Sequence, residues 1–139
     1  MKFHTMKNVI LYCRVSSDEQ KTNTSLDFQE KKLRRYCDEY GYNVIACYHE
    51  DYSAKHHDFK RPEMNKIKDY CKKNKNNVDL ILFLRWDRFS RNPEFAYMFK
   101  RLFLDEWGIE FNAIEGRIDF DSTEWSTALA NACSIAHTE

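Results

Sequence analysis

The sequence predicts an α/β domain with a mainly parallel central sheet of four to five strands flanked by helices. Three observations predict it. Short apolar runs alternate with amphipathic stretches of helical period along the chain. The run VDLILFL at residues 78–84 is apolar almost throughout, as a strand covered on both faces must be. The 139 residues also contain only three glycines and two prolines, too few for a loop-rich or low-complexity chain. Strands separated by helices are expected to pair in parallel, because a parallel neighbour is reached through a crossover connection.

Residues 8–15 read as the first strand, with Val9, Ile10, Leu11 and Val15 in a nearly continuous apolar run. A polar loop over residues 16–23 follows. Thr24 opens a helix, with Asp27 three positions on as its capping-box partner. Leu26, Leu33, Cys37 and Tyr40 form the helix's apolar face, and Gly41 stops it. Residues 42–48 are the second strand and residues 50–60 a long polar loop. Pro62 fits the first turn of a helix ending near Lys73, with Met64, Ile67 and either Tyr70 or Cys71 turned inward. A turn at residues 74–77 leads into the strand at 78–84, which reads as central. Residues 85–92 form a loop. Pro93 then opens a helix to Trp107, with Phe95, Phe99, Leu102 and Phe103 inside and Gly108 as its stop. Residues 109–114 are a strand, and residues 117–120 are a candidate for a short extra one. A last helix begins near Asp121, with Glu124 as capping partner, and carries Leu129, Ala132, Cys133 and Ala136. It shows no stop signal before Glu139, so the expectation is one domain over residues 1–139, cut within that helix.

Composition narrows the function classes. The chain is 42% hydrophobic and 32% charged with zero net charge, which suits a folded domain rather than a disordered one. No apolar run reaches the ~20 residues that span a bilayer, and residues 1–7 lack the apolar core of a signal peptide. The five cysteines are odd in number, far apart and without a CxxC pair, which fits reduced thiols in a cytoplasmic protein. A self-sufficient DNA binder usually carries a basic surplus. If the chain acts on DNA, zero net charge implies that much of the affinity comes from outside it.

In parallel sheets, function gathers at the C-terminal ends of the strands. Arg14-Val15-Ser16-Ser17-Asp18-Glu19-Gln20 follows the first strand, Lys60-Arg61-Pro62 follows the second, and Arg85-Trp86-Asp87-Arg88-Phe89-Ser90-Arg91 follows the third. Three strand ends thus aim Ser, Arg and Asp toward one rim. Arginines bind phosphate in a bidentate manner and offset the charge that grows during in-line phosphoryl transfer. Arg88 and Arg91 are three apart and share a face on a helical turn. A serine among them can attack phosphorus. Each motif also has a plainer meaning: a strand end with a capping hydroxyl, and a helix entry with surface ion pairs. Asp87 can equally be a carboxylate that holds Arg88 or Arg91 in place. His49, Asp51, His56 and His57 lack convincing ligand spacing, so no metal site is expected. Glycine-rich phosphate loops are absent, which removes support for a P-loop or dinucleotide fold. Lys31-Lys32 and Arg34-Arg35 read as a solvated helix face.

Taken together, these residues resemble the resolvase/invertase family of serine recombinases. Tyr12-Cys13-Arg14-Val15-Ser16 followed by Gln20 looks like the family's opening motif of an aromatic residue, Arg-Val-Ser and then Gln. Trp86-Asp87-Arg88-Phe89-Ser90-Arg91 looks like its Leu-Asp-Arg-Leu-x-Arg motif, and Lys60-Arg61-Pro62-Glu63 sits where the family has an Arg opening a helix. The resemblance implies a resolvase-like catalytic domain with Ser16 as nucleophile, making a 5′-phosphoserine link to double-stranded DNA. It implies that Arg14, Arg61, Arg88 and Arg91 bind the scissile phosphate, that Asp87 orients them or assists proton transfer, and that Gln20 supports the active-site loop. It further implies no metal, ATP or small-molecule cofactor, no membrane partner, homodimers and tetramers of the full-length protein, and work at the bacterial nucleoid. The DNA-binding region is expected to be absent from these residues, so this fragment alone is expected to recombine nothing. Integration, excision, inversion and resolution all remain open. One departure is the loop Glu50-Asp51-Tyr52-Ser53-Ala54, which has the family's acids but lacks its glycine, and either acid can be the equivalent one.

Competing readings are a catalytically inactive relative, another phosphoryl-transfer α/β domain, and a receiver-like module. A cysteine phosphatase needs an Arg five residues after its Cys in a loop, whereas Cys13 lies in a strand and is followed by Ser17 and Asp18. A receiver needs paired acids after the first strand, where this chain has Arg-Val-Ser.

Overall fold

The computed structural model describes residues 6–15, 25–51 and 61–134. Strand β1 (Asn8–Val15) leads to helix α1 (Leu26–Tyr40), strand β2 (Asn43–Asp51) and helix α2 (Pro62–Lys73). Strand β3 (Leu80–Phe83), a one-turn helix α3 (Trp86–Phe89) and helix α4 (Pro93–Phe99) follow. Strand β4 (Glu110–Ala113) and helix α5 (Trp125–Ser134) complete the described fold. The four strands lie in the order β2-β1-β3-β4, and every pairing is parallel. The expected α/β architecture is therefore present, with four strands.

Alternation along β1 divides the core. Val9, Leu11 and Cys13 pack with Leu33 and Cys37 of α1 on one face. Ile10 and Tyr12 pack on the other, with Met64, Ile67 and Cys71 of α2, the aromatic residues of α3 and α4, and Leu129 and Cys133 of α5. The sheet is covered on both faces, which is why β3 and the middle of β1, Val9–Cys13, carry no charged residue. Strand order reverses between β1 and β3, one strand leading away to β2 and the other to β4. In open parallel sheets such a reversal is where ligands are bound, outside the C-terminal ends of the strands.

Several local expectations are corrected. The N-cap of α1 is Ser25, whose hydroxyl accepts the Phe28 N–H at 3.2 Å, rather than Thr24 boxed with Asp27. Tyr40 is 59% exposed and does not join the apolar face. Gln29 takes an inward position instead, and its amide bonds both the N–H and the C=O of Arg14. Gly41 does end the helix, at φ 70°, with the Tyr42 N–H closing on the Cys37 carbonyl. In α2 the inward residue is Cys71, and Tyr70 is exposed. Strand β2 runs on through Glu50 and Asp51, which were expected in the loop.

The segment read as a loop over residues 85–92 contains α3, drawn into a turn by burial of Trp86 and Phe89. The helix expected to run unbroken to Trp107 changes to a π-helix at Lys100–Glu106, with Phe99 and Phe103 stacked at 3.8 Å in the core. Residues 117–120 form no strand. The Asn112 side chain donates to the Ile118 carbonyl and accepts from its N–H, which supplies what a neighbouring strand would. Helix α5 starts at Trp125, four residues later than Asp121, after a turn in which Ser122 Oγ accepts the Glu124 N–H. The expected 16–23 loop, most of the 50–60 loop and Ala136 lie outside the described residues.

Candidate active site

Arg14 is the penultimate residue of β1 and is completely buried. Its side chain reaches from the end of β1 to α3, the turn that follows β3. Nε donates to the Arg88 carbonyl at 3.2 Å, and one terminal nitrogen donates to the Asp87 carbonyl at 2.6 Å. Arg61, also completely buried, donates to the next carbonyl, that of Phe89. Two guanidiniums thus hold three successive carbonyls of α3. Those groups lie at the C-terminal, negative end of the helical turn, so cations suit them.

Arg61 reaches this place because it directly precedes Pro62, the first residue of α2. Its guanidinium lies 4.8 Å from the centre of the Phe95 ring and 3.4 Å from the Tyr12 hydroxyl. Arg61 has no side-chain cap bond to the helix it opens. Glu50 caps α2 instead, accepting the N–H groups of Glu63 and Met64 at 3.0 Å each. Tyr12 donates its hydroxyl to the same carboxylate at 2.9 Å. Burial pushes the Tyr12 phenol well above its ordinary range, so it remains a donor to Glu50. Of the two acids at the end of β2, Glu50 is buried and Asp51 exposed, so Glu50 belongs to the site.

Asp87 is also completely buried. Its carboxylate meets Arg85 Nε at 3.1 Å and lies 3.7 Å from Arg88. The Arg88 side chain is only 6% exposed, while Arg91, beyond α3, is partly exposed. Four guanidiniums, those of Arg14, Arg61, Arg85 and Arg88, gather here against the carboxylates of Glu50 and Asp87, and the surplus of positive charge suits a phosphate.

The fold brings Arg14, Arg61, Asp87 and Arg88 together at the switch point, and Arg91 follows α3 by two residues. Ser16 and Gln20 lie outside the described residues. Sequence reasoning missed Tyr12 and Gln29 as parts of this structure. Gln29 carried a signal: it is a polar residue at an apolar stripe position, three after Leu26 and four before Leu33.

The family described as "Resolvase, N terminal domain" matches residues 9–138. The chain belongs to this resolvase family. Among solved structures, the resolvase domain is similar to the N-terminal catalytic domain of TP901-1 integrase, at 25% identity and TM-score 0.73 over 88% of each chain. It is similar to the C-terminal catalytic domain of ISC1926 TnpA, an IS607-like serine recombinase, at 26% identity and TM-score 0.64, covering 77% of this chain and 70% of that one. A resolvase family site-specific recombinase from Streptococcus pneumoniae shares the fold at 22% identity and TM-score 0.70, over 89% and 83% of the two chains. No relative among curated proteins matches the sequence. No described helix of the resolvase domain is long and apolar enough to cross a membrane.

Proposed function

We propose that this domain is the catalytic part of a serine site-specific recombinase that cleaves and rejoins double-stranded DNA through a covalent 5′-phosphoserine at Ser16. The observation that carries the reading is the buried arginine cluster at the β1/β3 switch point, whose Arg14 stands two residues before Ser16 in the chain. The Ser16 oxygen attacks the scissile phosphorus, the bond from phosphorus to the 3′ oxygen breaks, and that oxygen leaves as a 3′-hydroxyl after taking a proton. Religation runs the same step backward from the other 3′-hydroxyl. The phosphoserine conserves the phosphodiester bond energy, so the reading requires no ATP, and guanidiniums supply the electrostatic stabilisation that a metal supplies elsewhere.

Arg14, Arg61, Arg88 and Arg91 make up the positive field around the phosphate. Arg14 and Arg61 bond the carbonyls of α3, and Arg88 and Arg91 stand on and just after that turn, so one short segment carries the phosphate-binding groups. Asp87 orients Arg85 and Arg88 and stands as a candidate proton acceptor. Gln20 supports the active-site loop. The neutral charge supports a division of labour in which protein outside this domain supplies most of the DNA affinity, and in which dimers and tetramers of the full-length protein do the work at the nucleoid.

The test is adduct trapping by the full-length protein on a nicked DNA that cannot religate. A denaturant-stable adduct on the 5′ end is expected. It is absent with Ser16→Ala and reduced about 10²–10³-fold with Arg88→Ala. An adduct on the 3′ end, or cleavage that survives Ser16→Ala, overturns the mechanism.

A further inference from the structure

On the sheet face opposite the arginine cluster, β1 and β2 bring three soft side chains together. Cys13 of β1 lies opposite His49 of β2, and Cys47 lies opposite Leu11. Parallel partners point to the same face, so the three side chains converge. Ligand atoms of Cys13, Cys47 and His49 all lie within 4.8 Å of one another. Both cysteines are thiols.

We propose that Cys13, Cys47 and His49 form a binding site for a thiophilic divalent cation of the zinc class. Two sulfurs and an imidazole are the donors that tetrahedral zinc takes, and all three sit on strands, which hold them rigidly. Glu30 of α1 accepts the Nε2 side of His49 at 2.7 Å, the carboxylate–histidine arrangement that orients metal-ligating rings. The other oxygen of Glu30 meets Arg34 at 2.7 Å, and that cation offsets the negative charge of two thiolates and a carboxylate around a divalent ion. β2 is an edge strand, and His49 and Glu30 are 37% and 25% exposed, so the ion enters from that side and takes water as its fourth ligand. Binding releases the two thiol protons to solvent. The occupied site ties β1 to β2 and, through Glu30, to α1, directly before Arg14. Chain spacing carried no hint of it, because the ligands come from two strands. The proposal is independent of the recombinase mechanism.

The experiment titrates the reduced 139-residue chain with cobalt(II) and then displaces it with zinc. One ion per chain is expected, with the intense visible bands of tetrahedral cobalt and a thiolate-to-cobalt charge-transfer band. Saturating zinc is expected to raise Tm. Cys47→Ser removes the charge-transfer band and the Tm rise. His49→Ala, at an exposed position that the fold tolerates, weakens binding at least about 10-fold, and Glu30→Gln about 10–100-fold. Far-UV circular dichroism of each variant verifies the fold. The absence of stoichiometric cobalt binding overturns the proposal, and so does binding that both His49→Ala and Cys47→Ser leave unchanged.

Discussion

Glu50 completes three hydrogen bonds with one carboxylate, joining Tyr12 of β1 to the first turn of α2. Asp51, the next residue, points to solvent. Glu50→Gln retains the shape but gives one of these donors another donor to face. It is expected to cost about 1–3 kcal/mol in urea denaturation, whereas Asp51→Asn stays within about 0.5 kcal/mol. Equal effects would remove Glu50 from its role. The arginines and Asp87 were legible as a charged group from their places after successive strands. Their tasks were not legible. Nothing in a one-dimensional sequence says that Arg14 and Arg61 spend their donors on the carbonyls of Asp87, Arg88 and Phe89, because those contacts span 28 to 74 positions along the chain.

Elements were legible where local signals and packing agree, and misread where a side chain replaced main chain. Pro62, Gly41 and Gly108 mark element ends in sequence and in structure. Residues 117–120 were a candidate strand, yet the Asn112 amide takes the strand partner's place at Ile118. Gln29 does the same for Arg14. Both amides offer one donor and one acceptor, the pair a strand residue needs. At α1, capping pattern and geometry differ by one residue. Ser25→Ala is expected to lower stability by about 1 kcal/mol, since it removes the acceptor for the Phe28 N–H, and Thr24→Ala by less. Thermal melts of the two variants make the comparison, and a larger loss at Thr24 would move the cap.

For the molecule as a whole, burial of titratable groups sets an alkaline limit. Burial raises the Cys37 thiol from 9.0 to about 11. Below pH 9 the folded and unfolded chains both keep this proton, and the thiol contributes nothing to pH dependence. As pH rises through 9.0 the unfolded chain releases it first, so stability falls until the folded chain follows near pH 11. The expected loss is about 1–2 kcal/mol across that range. Urea titrations at the two ends measure it, and Cys37→Ala should flatten the slope. An unchanged slope in that variant would assign the alkaline loss to other groups.

The sequence by itself determined the α/β class, the parallel sheet, both ends of α2, the stop of α1, the start of α4 and the clustering of arginines after successive strands. All of these rest on local periodicity, on breaker residues and on short spacings that survive in one dimension. Only the tertiary structure decided the strand order β2-β1-β3-β4, which makes β1 and β3 neighbours and so lets Arg14 reach the α3 turn after β3. Only it chose Glu50 over Asp51 and brought Cys13 to Cys47 and His49. These depend on which strands lie side by side and in what register, and that is fixed by burying both faces of the sheet at once rather than by any stretch of neighbouring residues.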